Sequence, residues 1–263
     1  LTNLVTLFKY IEIAATTNTI KQMNMESLKG KTALITGAGK GLGKAMALAL
    51  AAEGVNLLLL ARTKIDLDKV SAEAMAINPD ISVSNFAVNV GSYTEVKTAI
   101  EKISATGSVD ILINNAGILK TGGYLELPVE EWEEVIQVNV LGTYYVTHEV
   151  LPLLLKQGSG DIINIASTAG LKGAAKMSVY GASKAAVINM TESLMQEVRK
   201  SNIRVTTVNP STIATDMTLN ANFTDGNAEK VLQPEDLAFV IVHNLKLPKR
   251  AFVKEFGLWS TNP

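Results

Sequence analysis

From Lys31 onward, short runs rich in leucine and β-branched residues alternate with longer helical stretches. Parallel strands need a crossover between them, usually a helix, so this alternation is the pattern of a parallel sheet covered by helices on both faces. The expected strands are 32–36, 55–61, 83–89, 111–114, 161–166, 205–209 and 251–255, and their nearly continuous apolar character suits burial on both sides. An α/β chain with one doubly wound parallel sheet of about seven strands is the predicted architecture. A length of 263 residues fits one such unit, and no repeat, low-complexity tract or Pro/Gly-rich linker divides it. The least regular stretch, 218–233, is polar and contains Asp225-Gly226-Asn227; it reads as a disordered segment or a lid. The leucines and methionine of 217–232 suit an apolar lid or, equally, a core-facing helix.

Composition narrows the function. The apolar fraction of 47% supports a large core, and a net charge of -1 offers no surplus of cations to hold a phosphate backbone, so nucleic acid is not an expected partner. The absence of cysteine removes disulfide and thiolate chemistry and fits a reducing compartment, hence an expected cytoplasmic location. The two histidines, His148 and His243, are far apart, so no metal site is expected. No membrane span is expected either: the most apolar stretch, 45–61, is divided by Glu53-Gly54 and Asn56. Residues 1–24 are apolar at Leu4, Phe8 and Ile11 but broken by Lys9 and Glu12, a poor match to a secretory signal. They are expected to be an extension ahead of a domain spanning 25–263, starting near Met23 or Met25; a short amphipathic docking helix is the alternative.

The turn after the first strand reads Thr36-Gly37-Ala38-Gly39-Lys40-Gly41-Leu42-Gly43 and opens a helix. Glycines there let the backbone turn sharply and approach a pyrophosphate, whose charge is met by unpaired N–H groups and the positive end of the helix dipole. A glycine turn required only for packing is the competing reading. The second strand ends Leu60-Ala61-Arg62, where NAD would want an acidic residue for its ribose. Ala61 leaves room instead, and Lys40 with Arg62 supplies two cations for a 2′-phosphate, so NADP(H) is expected; as plain solvated charges they would say nothing.

Tyr180 and Lys184 stand four apart in Tyr180-Gly-Ala-Ser-Lys184, with Ser167 upstream. On a helix such a pair shares one face, so the ammonium can lie near the phenol and lower its pKa by charge attraction. Ser167 would add a hydroxyl donor. A chance pairing on a surface helix has the same spacing.

Together these residues resemble the short-chain dehydrogenase/reductase family, whose fold is of the Rossmann type. The glycine loop matches its Thr-Gly-x-x-x-Gly-x-Gly element, Asn114-Asn115-Ala116-Gly117 its Asn-Asn-Ala-Gly element, and Asn139, Ser167, Tyr180 and Lys184 its catalytic tetrad. The resemblance implies an oxidoreductase that moves a hydride between a nicotinamide and a carbonyl or secondary alcohol. Tyr180 would be the general acid, Lys184 would lower its pKa and bind the nicotinamide ribose, Ser167 would hold the substrate oxygen, and Asn139 would support a proton-relaying water. Gly37, Gly39, Lys40, Gly41, Leu42, Gly43 and Arg62 would hold the nucleotide, Asn89 and Val90 would flank adenine, and Asn115, Ala116 and Gly117 would lie by the cofactor. Pro210, Ile213 and Thr215 would contact the nicotinamide region. Within the family the chain looks most like 3-oxoacyl-[acyl-carrier-protein] reductases, so an acyl-carrier-protein thioester is a candidate substrate. Oxidation of a sugar, steroid or other alcohol is the alternative, and a non-catalytic nucleotide sensor of the same fold is a further one. Ser211 stands where those reductases carry glycine, and the tail 251–259 departs from theirs. The resemblance further implies a homotetramer or homodimer paired through the helical regions 128–157 and 177–200, with 142–145 and 187–190 supplying the faces.

Overall fold

The computed structural model describes residues 25–261; the expected extension 1–24 lies outside the described residues. The strands are β1 (Thr32–Thr36), β2 (Asn56–Ala61), β3 (Val83–Ala87), β4 (Ile111–Asn114), β5 (Gly160–Ile165), β6 (Ile203–Pro210) and β7 (Glu255–Leu258). They form one seven-stranded sheet in the order β3-β2-β1-β4-β5-β6-β7, every neighbouring pair parallel.

Alternation along each strand builds two cores, because successive side chains point to opposite faces. Ile35, Leu57, Leu59, Ile113 and Ile163 pack on one side against α1 (Gly41–Ala52), α2 (Lys64–Ile77) and α8 (Pro234–Leu245). Their immediate neighbours Leu34, Leu58, Leu60, Leu112 and Ile162 pack on the other, against α3 (Tyr93–Thr106), α5 (Gly142–Gln157) and α6 (Ser178–Val198). A strand apolar at every position is therefore what both faces demand. The remaining helices are α4 (Val129–Ile136), joined to α5 through a π-helical turn at Gln137–Leu141, and the short α7 (Asp216–Asn220).

Strand ends shift by one or two residues in β2, β5 and β6, and two further strands differ more informatively. β3 ends at Ala87, two residues early, since the Asn89 amide donates to Glu95 Oε2 and the Asn89 carboxamide oxygen accepts from Gly91 N, both outside any ladder. The last strand is Glu255–Leu258 rather than 251–255. Side chains take the backbone groups of the earlier stretch: Arg204 donates to Ala251 O, Thr206 to Val253 O, and Asn244 Oδ1 accepts from Val253 N. On the helical regions expected to face a partner subunit, Tyr144 is exposed, but Thr143 and Val187 are buried.

Arg204 has a wider job. Its guanidinium meets Asp161 at 2.6 Å and also donates to Leu245 O and Leu247 O, tying β5 and β6 to the end of α8. Burial raises the Asp161 pKa and Arg204 opposes that rise, so the pair stays ionic only while both partners are present.

Candidate active site

β1 has β2 on one side and β4 on the other, so the chain reverses its direction of winding there. Crevices in open α/β sheets form at that point, beyond the carboxyl ends of the strands. A cleft lies in this position. It runs from Arg62 and Asp66 past the glycine loop to Ser167, Tyr180 and Met217.

At its first end the loop is built to bring backbone close to a ligand. Gly37 and Gly41 have φ of 65° and 53°, the left-handed region that favours glycine. A Cβ on Gly43 would stand 2.2 Å from Gly37 O, and one on Gly37 would stand 2.9 Å from Ala116 Cα. Gly43 is thus a packing requirement behind the loop, whereas Gly37, Gly39 and Gly41 line the cleft with Lys40 and Leu42. α1 begins at Gly41 with no side-chain cap, and the first N–H groups of a helix have no acceptor within it. An uncapped helix start opening on a cleft fits a dinucleotide pyrophosphate.

β4 holds the loop in place. Thr36 Oγ1 accepts from the amides of Asn115 and Ala116 at 3.0 Å each, and Asn115 Nδ2 donates to Thr36 O and Gly37 O at 3.0 and 3.3 Å. Asn115 lines the cleft, as expected of a residue beside the cofactor, and its carboxamide N–H groups position the loop. Deeper, Asn114 donates to Thr147 and Asn164, and Asn164 donates to Thr191, a buried polar chain that locks β4 and β5 to α5 and α6.

The far corner of the nucleotide end holds a residue the sequence reading missed. Asp66 lines the cleft with Arg62, and its Cβ lies 3.0 Å from where Gly39 would place a Cβ. The strand-end rule looks only at the residue where β2 stops, but Asp66 arrives from the first turn of α2, four residues past Arg62. Lys40, expected beside Arg62, forms an exposed ion pair with Asp216 at 3.5 Å. Asn89, Val90, Ala116, Gly117, Pro210, Ile213 and Thr215 complete the lining they were expected to share.

At the other end, Ser167 follows β5 and Tyr180 and Lys184 project from the start of α6. Ser167 lies close enough to the Tyr180 phenol to hold its pKa down, and its Oγ accepts from Ala169 N at 3.1 Å. Lys184 is buried, donates to Ile165 O at 2.9 Å and sits 5.7 Å from the Tyr180 ring centroid. The electrostatics differ from the expectation. Burial raises the Tyr180 pKa, opposed only by Ser167, and burial lowers that of Lys184 to about 8. Loss of water disfavours charge on either group, and an ammonium turned toward a carbonyl does little for the phenol.

Asn139 lies within the π-helical turn, buried behind the cleft. Its Oδ1 accepts from Ile118 N at 2.8 Å, and its Nδ2 donates to Ile118 O and Ser183 Oγ at 3.0 Å each. The side chain therefore clamps the backbone beyond Gly117. A Cβ on Gly117 would lie 3.3 Å from Asn139 Oδ1 and 3.5 Å from Lys184 Nζ, so a side chain there would press on both groups.

The family model for short chain dehydrogenase matches residues 31–225, which hold the glycine loop and all four tetrad positions. The chain belongs to the short-chain dehydrogenase family. A curated relative in that group, an uncharacterised oxidoreductase of Staphylococcus saprophyticus, is 38% identical over 232 residues, covering 88% of this chain and 97% of its own. Among solved structures this short-chain dehydrogenase fold is similar to levodione reductase, with a TM-score of 0.81, 26% identity and coverage of 88% of this chain and 97% of that one. L-sorbose reductase from Gluconobacter frateurii, solved with NADPH and L-sorbose, gives a TM-score of 0.81 at 27% identity, covering 90% and 97%. The protein is thus an oxidoreductase of this family. Among the described residues no helix is long and apolar enough to cross a membrane.

Proposed function

We propose that the protein is an NADP(H)-dependent carbonyl reductase in which Tyr180 gives the proton. What carries this reading is one continuous cleft: the glycine loop and the Ser167–Tyr180–Lys184 group line the same crevice from opposite ends. A reduced nicotinamide held there would supply the hydride to the carbonyl carbon. The glycine loop would hold its pyrophosphate, and Arg62, exposed where β2 ends, would meet a 2′-phosphate.

The chain's own residues handle the oxygen. Ser167 donates a hydrogen bond to the carbonyl oxygen and draws charge toward it as the carbon is attacked. Tyr180 Oη releases its proton to that oxygen, completing the alcohol: one hydride at carbon, one proton at oxygen. Burial raises the Tyr180 pKa, so the phenol holds its proton at neutral pH and can act as the acid. Lys184 stays beside the phenol, buried and anchored on Ile165 O.

The protein works in the cytoplasm as a homodimer or homotetramer in this reading, with Tyr144 and Leu155 of α5 among the exposed side chains available to a partner. Oxidation of NADPH and of NADH, measured against simple diketones, ketoses and acetoacetyl thioesters, tests the function. NADPH-dependent turnover of at least one class is expected; binding of NADPH without turnover of any of them would replace the enzyme reading with a nucleotide-sensing one. Light scattering on the eluting protein tests assembly, and a monomer at micromolar concentration would contradict it.

A further inference from the structure

Resting on that reading, we infer that Asp66 is a specificity residue of the nucleotide end: its carboxylate accepts from the adenosine ribose 2′-hydroxyl of NAD(H), opposes the 2′-phosphate of NADP(H), and so keeps the preference for NADP(H) small. An acid in this role is expected where the second strand ends, yet that position is Ala61. The structure brings Asp66 to the same place from another element. A Cβ on Gly39 would lie 3.0 Å from Asp66 Cβ and 3.6 Å from Ala61 Cβ, so the glycine loop, the strand end and the first turn of α2 converge on one point.

The fold makes little use of this carboxylate. Asp66 is the third residue of α2, where an acid ordinarily reaches back to the N-cap amide and completes a capping box. No side-chain cap forms at the N-cap Thr63, and only the Asp66 backbone amide is engaged, with Thr63 O at 3.2 Å. Among the described residues the Asp66 side chain has no hydrogen-bond or ion-pair partner. It is nonetheless half-buried and lines the cleft. A carboxylate that has given up part of its hydration gains from a ligand hydroxyl that donates to it.

The other charges of the corner favour the same role. Its cations are Lys40 and Arg62, and its anions are Asp66 and, facing Lys40 at 3.5 Å, Asp216, so the two signs cancel. A 2′-phosphate brings further negative charge: Arg62 attracts it while Asp66, on the same rim, repels it. A ribose hydroxyl meets no such repulsion. Arg62 is exposed, so water and salt screen its pull, whereas the half-buried Asp66 is screened less. NADP(H) remains the better bound of the two through Arg62, by a margin that Asp66 holds down.

The test titrates NADPH and NADH by fluorescence into the parent, Asp66→Asn and Asp66→Glu proteins, with turnover of simple diketones, ketoses and acetoacetyl thioesters followed alongside. Asp66→Asn is expected to bind NADPH about 5-fold more tightly and NADH about 3-fold more weakly, raising the preference for NADPH by at least about 10-fold. Asp66→Ser, also uncharged, should repeat that rise should the asparagine variant fail to fold. The tightening on NADPH should fade at about 0.5 M salt. Asp66→Glu retains the negative charge at the start of the helix, so its preference should stay within about 3-fold of the parent's. An acid that served only the start of α2 would, once neutralised, lower the urea midpoint and weaken both nucleotides together. A ratio unchanged in the uncharged variants, or one that falls, therefore overturns the inference, while turnover with NADPH leaves carbonyl reduction standing. The expected shift in binding without turnover of any carbonyl removes the enzyme reading instead and keeps Asp66 in this role. Failure of the parent to bind either nucleotide overturns both.

Discussion

The two ends of the cleft are made of different material. The nucleotide end is backbone held at contact distance, with Gly43 against Gly37 O, Gly37 against Ala116 and Asn115 stitching the loop to β4. The substrate end is side chains, Ser167, Tyr180 and a Met217 that lines the cleft and remains exposed. Where every molecule of a class shares the same pyrophosphate, a fixed cradle is the better solution. Where the ligand is what differs between relatives, a loosely packed rim can change without disturbing the sheet.

Substitutions at the two ends should accordingly differ in kind. The largest effect is expected from Gly43→Ala. A methyl group 2.2 Å from a backbone oxygen cannot be relieved by turning a side chain, so the loop or α1 must move. Loss of about 3 kcal/mol of stability is expected together with loss of nucleotide affinity, checked by urea unfolding and by NADPH fluorescence titration.

Next comes Lys184→Met, which sets stability against function. The Lys184 pKa falls from 10.5 to about 8 on folding. Between pH 10.5 and 8 the unfolded chain takes up a proton that the folded one refuses, so stability declines as pH falls through that window and stays lower below it. The whole deficit is roughly 3 kcal/mol, of which the bond to Ile165 O returns about 1 kcal/mol. The cofactor-free methionine variant should therefore be more stable than the parent at pH 7, by about 2 kcal/mol, and should lack the rise in stability from pH 8 to 10.5, while kcat/KM drops by about 10²-fold. Thermal unfolding across pH beside steady-state rates checks both halves.

How much of this was readable beforehand follows the same division. Glycine spacing reports backbone that must approach something, so the cradle could be found from Gly37 to Gly43 alone, and the apolar alternation gave the sheet. Tyr180, Ser167 and Lys184 were found through their order along the chain and the family pattern they match. Asp66 was not, because it enters the nucleotide corner from a helix turn and no strand-end rule inspects it. The Lys40–Asp216 pair joins residues remote in sequence, so nothing local announced that one of the two expected phosphate cations is partly neutralised. The shifts of Tyr180 and Lys184 were misjudged for a different reason: spacing places the ammonium near the phenol, but burial acts on both groups and only the structure reveals it.

Smaller effects refine the nucleotide end. Arg62→Ala should raise KM for NADPH by about 10-fold and leave that for NADH nearly unchanged, the cost of one charge-assisted contact to a phosphate. Lys40→Ala should shift NADPH affinity no more than about 3-fold, since its exposed charge already faces Asp216 at 3.5 Å. Equal losses for the two variants would mean that both cations grip the 2′-phosphate and that the two charges of the corner act alike.

The central claim is that Tyr180 delivers the proton in a cleft whose other end binds the nucleotide independently. Steady-state turnover and NADPH binding by the Tyr180→Phe protein test it together. The account predicts a fall in kcat of about 10³-fold with the dissociation constant for NADPH changed by no more than about 3-fold. Turnover retained within 10-fold of the parent would contradict it.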